Sequence, residues 1–259
     1  MSAKPPPSSL LHDDPLHQSF PETDRRSRIS SYFKEVIYGG TDGIITTFAV
    51  AAGFSGAALT TETTTQLSFL VVLLFGLANL FADGVSMGLS NFLSVRSEKD
   101  LYQQARARQT NAIRTKPDAT MQRTLAVLED KGYSTEDAHT LTRLLGKNET
   151  YWVDFLMNHH LSMSDPRGEN PLSTGLATFV SFLVFGTIPL LPFMLADQSA
   201  PARIVFYYSI LGTFAALVLL GILKWRVVGN ALWLALLEVV LVGAAAASVA
   251  FFVGSLFSV

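Results

Sequence analysis

Four side chains carry most of the chemistry this sequence offers: Glu35, Asp42, Asp83 and Met87, each within or beside an otherwise apolar stretch. Asp42 lies inside YGGTDGIITTFAVAAGFSGAA, residues 38–58. That stretch is long enough to cross a hydrocarbon core of ~30 Å at ~1.5 Å per helical residue. A charge in hydrocarbon costs roughly 2.5 kcal/mol or more, so an acid at this depth faces a cavity or a partner. Glu35, Tyr38, Asp42 and Thr46 recur at near-helical spacing and line one polar stripe. Gly39 and Gly43, then Ala49/Gly53 and Ala52/Gly56, form a small-residue face that admits a close helix neighbour. A packing helix with one neutralised acid is the plainer reading; the stripe favours an ion-conducting helix. Asp83 and Met87, four apart, share a face of the next apolar stretch. A carboxylate with a thioether suits a borderline divalent metal such as Fe²⁺ better than Mg²⁺ or Ca²⁺, which take oxygen alone.

These residues need membrane helices to hold them, and the composition supplies them. The 259 residues are 49% hydrophobic and 15% charged, against ~25% charged in an ordinary soluble domain. Mean hydropathy is +0.33. The net charge of −2 gives no bulk attraction to nucleic acid. Without cysteine, disulfides and thiolate metal sites are excluded, leaving oxygen, imidazole and thioether ligands. Residues 1–31 are polar, carry Pro5–Pro7, lack the apolar core of a cleaved signal and read as a disordered tail. Apolar segments follow at about 36–58, 67–91, 173–195, 203–223 and 229–257. If these five alternate across a bilayer, 18 of the 19 basic residues fall on one face, Arg203 being the exception. The positive-inside rule makes that face cytosolic, with the N-terminus in the cytosol and the C-terminus across the membrane. The expected fold is therefore an all-α membrane protein: transmembrane helices 1–2 over 32–95, a small helical cytosolic domain inserted over 96–172, and helices 3–5 over 173–259.

Within the insert, Arg96–Thr115 extends the second span and stops before Pro117. A second helix is expected over about Thr120–Lys131, ending at Gly132. Ser134-Thr-Glu-Asp137 resembles a capping box opening a third helix that closes near Gly146. A fourth, about Glu149–Met163, stops at Asp165-Pro166. The Asn148-Glu-Thr150 sequon stays bare on the cytosolic side.

DGIITTFAVAAGFSGA followed by NLFADGVSMGLSNFLS resembles the vacuolar iron transporter family, and YWVDFLMNHHLSM and GTIPLLPF continue the likeness over about residues 32–257. The resemblance implies a homodimer of five-helix subunits in a vacuolar or other endomembrane. It implies Fe²⁺, with Mn²⁺ as a second cargo, passing between the two first spans out of the cytosol in exchange for protons. Carried onto this chain, Asp42 and Met87 are translocation ligands, while Asp83 and Glu35 handle metal or protons. The metal is cargo, and no cofactor is implied.

The chain departs from the family in its insert. Between Lys99 and Leu128 there is no Glu, where the family's first cytosolic helix carries spaced glutamates; DLYQQARARQTNAIRTK is basic instead. Leu156 replaces a family Met and His160 a family Glu, while Met157 remains beside His159. Met157 and His160, three apart, can hold a soft metal, though neighbouring histidines on an amphipathic helix are ordinarily surface. The domain then reads as a folded relic, a dimerisation piece or a site of changed selectivity. Glu238 is too deep in the last span for a casual surface residue and is either a proton carrier or an interfacial, water-binding acid. A non-transporting paralogue with a structural or regulatory role is the alternative that the missing glutamates motivate. An enzyme finds no support: no nucleophile–base pair, phosphate loop or facing intramembrane histidine pair is visible.

Overall fold

The computed structural model describes residues 21–58, 65–196, 201–229 and 231–256, which are helical throughout apart from short connections. The main helices are α1 (Pro21–Ala58), α2 (Thr65–Thr115), α3 (Pro117–Asp130), α4 (Thr135–Leu145), α5 (Glu149–His159), α6 (Pro171–Thr187), α7 (Leu191–Leu195), α8 (Ala202–Val228) and α9 (Leu232–Leu256). Among the described residues, five stretches are long and apolar enough to cross a membrane. They begin at Tyr32, Leu70, Pro171, Arg203 and Leu232, matching the five spans expected from sequence. The first helix is described from Pro21 onward. Residues 1–20 lie outside the described region.

The chain divides into two compact units. One comprises α1, α2 as far as Leu80, and everything from Ser181 onward. Here α1 packs along α8 and α9, because its small residues let backbones meet. A Cβ on Gly43 would lie 2.4 Å from the Phe182 carbonyl oxygen, and one on Gly254 would lie 2.1 Å from the carbonyl oxygen of Gly53. Only glycine fits at either crossing. Two apolar clusters fill the remaining space: Ile44 with Leu217, Leu220 and Val239, and Phe48 with Val72, Phe193 and Phe206. Phe48 and Phe206 stack with centroids 6.1 Å apart. The third span is broken where Pro189 and Pro192 interrupt the helical ladder, passing through a 3₁₀ turn at Ile188–Leu190 before α7. Ser209 donates its hydroxyl to the Pro189 carbonyl at 2.6 Å, so that backbone oxygen keeps a partner. Gly229, at φ +75°, closes α8 and turns the chain into α9. On α9, Trp233 is 84% exposed and Leu234, Leu237 and Leu241 are exposed beside it, an outer face suited to lipid.

The second unit runs from Phe81 to Val180. Gly175 meets Gly88 closely enough that a Cβ would sit 2.5 Å from the Gly88 oxygen, and Asn91 donates to the Thr178 hydroxyl at 2.7 Å. Beyond the apolar part of α2, a core of Tyr102, Ile113, Trp152, Val153, Leu156 and Met157 joins α2 to α5. Trp152 donates its indole N–H to Thr124 Oγ1 at 2.8 Å, tying α5 to α3. The Ser134 cap is present: its hydroxyl accepts from the Asp137 amide at 3.2 Å and donates to that carboxylate at 2.6 Å. Two boundaries differ from expectation. The α3 helix begins at Pro117 rather than Thr120, with the proline in the first turn, where its missing N–H costs nothing. The α5 helix ends at His159 rather than Met163, because Ser162 adopts φ +53° and the amides of Leu161 and Met163 turn back onto the carbonyls of Leu156 and Met157.

Candidate functional site

In the first unit, α1 brings Tyr38, Thr41 and Asp42 to the wall of a cavity of about 850 Å³. The opposite walls come from α8, through Lys224, and α9, through Glu238 and Val242. Lys34 stands on the same lining one helical turn before Tyr38. Asp42 is half-buried, and its carbonyl accepts the Thr46 hydroxyl at 2.8 Å. Of the polar stripe expected on α1, Tyr38 and Asp42 thus face one space, while Thr46 is turned back onto the helix. Glu35 is buried, only 8% exposed, and is not among the lining residues.

Two participants escaped sequence reasoning. Thr41 Oγ1 is buried without a hydrogen-bond partner in the protein, although its residue lines the cavity. Leaving such a hydroxyl unsatisfied costs ~1–3 kcal/mol; Thr47, Gln109 and Thr142 share that state, and Thr41 differs from them in lining this cavity. A buried threonine beside an acid carries no pattern that a one-dimensional reading detects. Lys224 was counted only as a basic residue for topology, yet its ammonium pairs with Glu238 across the turn between α8 and α9. Glu238 is thereby located: it lies on the cavity wall with a cation on it.

In the second unit, Asp83 and Met87 are both half-buried on α2, while Gly84 and Gly88 beside them are buried. The shared face expected from their spacing exists, with a carboxylate and a thioether one turn apart. Among the described residues, no three His, Asp or Glu side chains gather where they could hold a metal.

Farther along the same unit, Met157 and His160 are not brought together. Met157 is fully buried in the α2–α5 core, whereas His160 is exposed and already caps the helix. His159 is exposed too, its ring 4.8 Å from that of Phe155. Two arginines on the basic face of α2 are paired. Arg106 pairs with Asp154, and Arg114 with Glu149 at 2.7 Å. The hydrogen bond that Arg106 donates to Asp154 holds its guanidinium above the ordinary pKa despite partial burial, and the one that Arg114 donates to Glu149 does the same there.

Comparison with known proteins places these features in a lineage. The model of the VIT family matches residues 33–255. A vacuolar iron transporter of Centaurea cyanus is 31% identical over 218 residues, covering 84% of each chain. Vacuolar iron transporter 1 of Oryza sativa subsp. japonica is 29% identical over 235 residues, 91% of this chain and 88% of its own. A vacuolar iron transporter of Toxoplasma gondii is 31% identical over 233 residues, 88% of this chain and 74% of its own.

Proposed function

Since the chain belongs to the VIT family, we propose that it moves divalent iron out of the cytosol into a vacuole or similar organelle, and Mn²⁺ by the same route, in exchange for protons. Its role is that of a carrier and not of an enzyme. The observation that carries the reading is Asp42, an acid half-buried on the wall of a cavity that α1, α8 and α9 enclose. A single carboxylate per chain binds a divalent ion weakly, so two copies facing one another complete the site, which favours a homodimer. Met87 supplies the soft ligand, and Asp83 and Glu35 relay metal or protons. The basic residue split puts the N-terminus in the cytosol.

A second reading, a membrane paralogue that conducts nothing, draws on the insert. There Arg106 and Arg114 take up Asp154 and Glu149, and Met157 is buried, which weakens it as a metal collector. Purified full-length protein in liposomes decides between them. Under an imposed pH gradient, Fe²⁺ uptake well above that of empty liposomes, collapsing with the gradient, is the expected result; uptake no faster than in empty liposomes leaves the paralogue.

A further inference from the structure

Arg203 is the exception in the charge pattern: if the five spans alternate, it is the one basic side chain on its face of the membrane. It is exposed in the first turn of α8, and among the described residues no acid pairs with it. Tyr207 and Tyr208, one turn on, are exposed as well, an aromatic pair of the kind that sits among lipid headgroups. The N-terminus of α8 carries no side-chain cap, and its amide end favours an anion.

Phe206, three residues after Arg203 and so on the same side of the helix, is the first residue of α8 to line a crevice of about 690 Å³ between α8 and α9. Phe48 and Ala52 of α1 form its floor, and no charged residue lines it. Its three hydroxyls are spent on their own helices: Thr213 donates to the Ser209 carbonyl, Ser248 to that of Ala244 and Ser255 to that of Phe252, each at 2.7 Å. What remains is aliphatic and aromatic surface, which gives water or an ion nothing to bind. Along α9 the lining runs from Val240 to Ser255, about 22 Å of helix at ~1.5 Å per residue. The volume spread over that length is a channel roughly 6 Å wide, too narrow for a helix of ~10–12 Å but open to one extended chain. Left empty, the gap would forfeit dispersion contacts along every wall, and the surrounding medium is hydrocarbon.

We propose that a membrane glycerophospholipid seats here, its phosphate at Arg203 and the N-terminus of α8, and one acyl chain in the crevice. The chain fills the space beside α9, the least buried of the five spans, and the phosphate gives Arg203 its counter-charge. This site is independent of the transport reading, since it holds a lipid and not the cargo.

The experiment titrates delipidated full-length protein in detergent with dioleoylphosphatidylglycerol, reading bound lipid by native mass spectrometry and stability by melting temperature. Dioleoylglycerol, with the chains but no phosphate, and glycerol 3-phosphate, with the phosphate but no chains, are the comparison arms. Wild type is expected to retain one phospholipid per chain and to melt higher with it. Dioleoylglycerol is expected to bind about fivefold more weakly, and glycerol 3-phosphate to leave the melting temperature unchanged. Arg203→Gln should weaken the phospholipid by about the same fivefold, down to the affinity of dioleoylglycerol. Ala244→Leu, at an exposed position of the α9 wall, fills the crevice and should abolish the rise in melting temperature. Val249→Leu, exposed on α9 away from the lining, should keep it. An unchanged wild-type melting temperature, equal binding of dioleoylglycerol, or wild-type affinity in Arg203→Gln or Ala244→Leu overturns the proposal. A dimeric wild type that Ala244→Leu renders monomeric also overturns it, by showing that a second copy covers the crevice. Should Ala244→Leu not fold, Ser248→Leu, also exposed on that wall, is held to the same criteria; should neither fold, Arg203→Gln decides alone.

Discussion

In the unit built on α1, α8 and α9, charged groups face a cavity; in the insert, Arg106 and Arg114 of α2 are taken up by Asp154 and Glu149 of α5. The first arrangement keeps Asp42 half-buried on the cavity wall and leaves Thr41 Oγ1 unpartnered. The second spends most of its polar capacity, Gln109 Oε1 and Thr142 Oγ1 excepted: Asp154 and Glu149 hold guanidinium groups, Trp152 is bonded to Thr124, and Met157 is enclosed by aromatic and aliphatic side chains. A polar group left unsatisfied inside a protein is costly, and it persists where a ligand repays that cost. Ligand binding should therefore be sensitive to substitution in the cavity and insensitive to it in the insert, and the following variants measure that contrast.

The largest effect is expected from Asp42→Asn. The amide keeps the shape but removes the charge that compensates a divalent ion and the group that exchanges a proton. Fe²⁺ uptake into liposomes should fall to the level of empty liposomes, while size-exclusion elution matches wild type. Wild-type rates in this variant would erase the distinction between the two regions.

Gly43→Ala comes next, and it acts through packing. The added methyl would sit 2.4 Å from the backbone oxygen of Phe182, which no rotamer change relieves. A loss of ~1–3 kcal/mol is expected from such overpacking, read as a lowered melting temperature in detergent. Gly168→Ala, with open space around the new Cβ, is the matched control and should shift the melting temperature little. Equal melting temperatures for the two would show that the α1 crossing tolerates separation.

How much of this was legible beforehand differs between the regions for a physical reason. Local signals read well: Ser134 caps its helix, Pro117 follows the end of α2, and five apolar runs became five long helices. Features set by contacts distant in sequence did not. Arg106 and Asp154 are 48 positions apart and Lys224 and Glu238 are 14 apart, so no helical periodicity relates either pair. The end of α5 was missed because its left-handed residue is Ser162, where a glycine would have announced it. Met157 and His160 looked like a pair because spacing of three puts side chains on one face, but the helix stops between them. Asp42 itself was legible, since an acid in an apolar run stands out at once; that Thr41 beside it lacks a partner shows only in three dimensions.

Thr41→Val is expected to have a smaller effect, split between two readouts. Valine replaces the hydroxyl with a methyl of similar shape. Removing a buried hydroxyl that has no partner in the protein should leave stability unchanged or raise it by ~1 kcal/mol. If the hydroxyl serves the cation or its hydration, half-saturating Fe²⁺ should rise about two- to fivefold at the same time. A clear drop in melting temperature would mean that the hydroxyl has a structural role and does not serve the cavity.

The smallest effect is expected in the insert, from His160→Ala and Met157→Leu. His160 is exposed at the end of α5, where an imidazole is solvated and its removal uncovers nothing. Met157 is fully buried, and leucine conserves its volume, so repacking should cost less than ~1.5 kcal/mol. If the thioether were a ligand, the same substitution would remove a soft donor outright and leucine would not replace it. Half-saturating Fe²⁺ should therefore stay within about twofold of wild type in both variants and in the double variant. Calorimetric titration of the full-length protein with Mn²⁺ supplies the independent readout, and its stoichiometry should be the same with and without the two substitutions. A lost binding event in the double variant would mean that Met157 leaves the core to meet His160, and the insert would have to be counted among the metal-binding parts of the molecule.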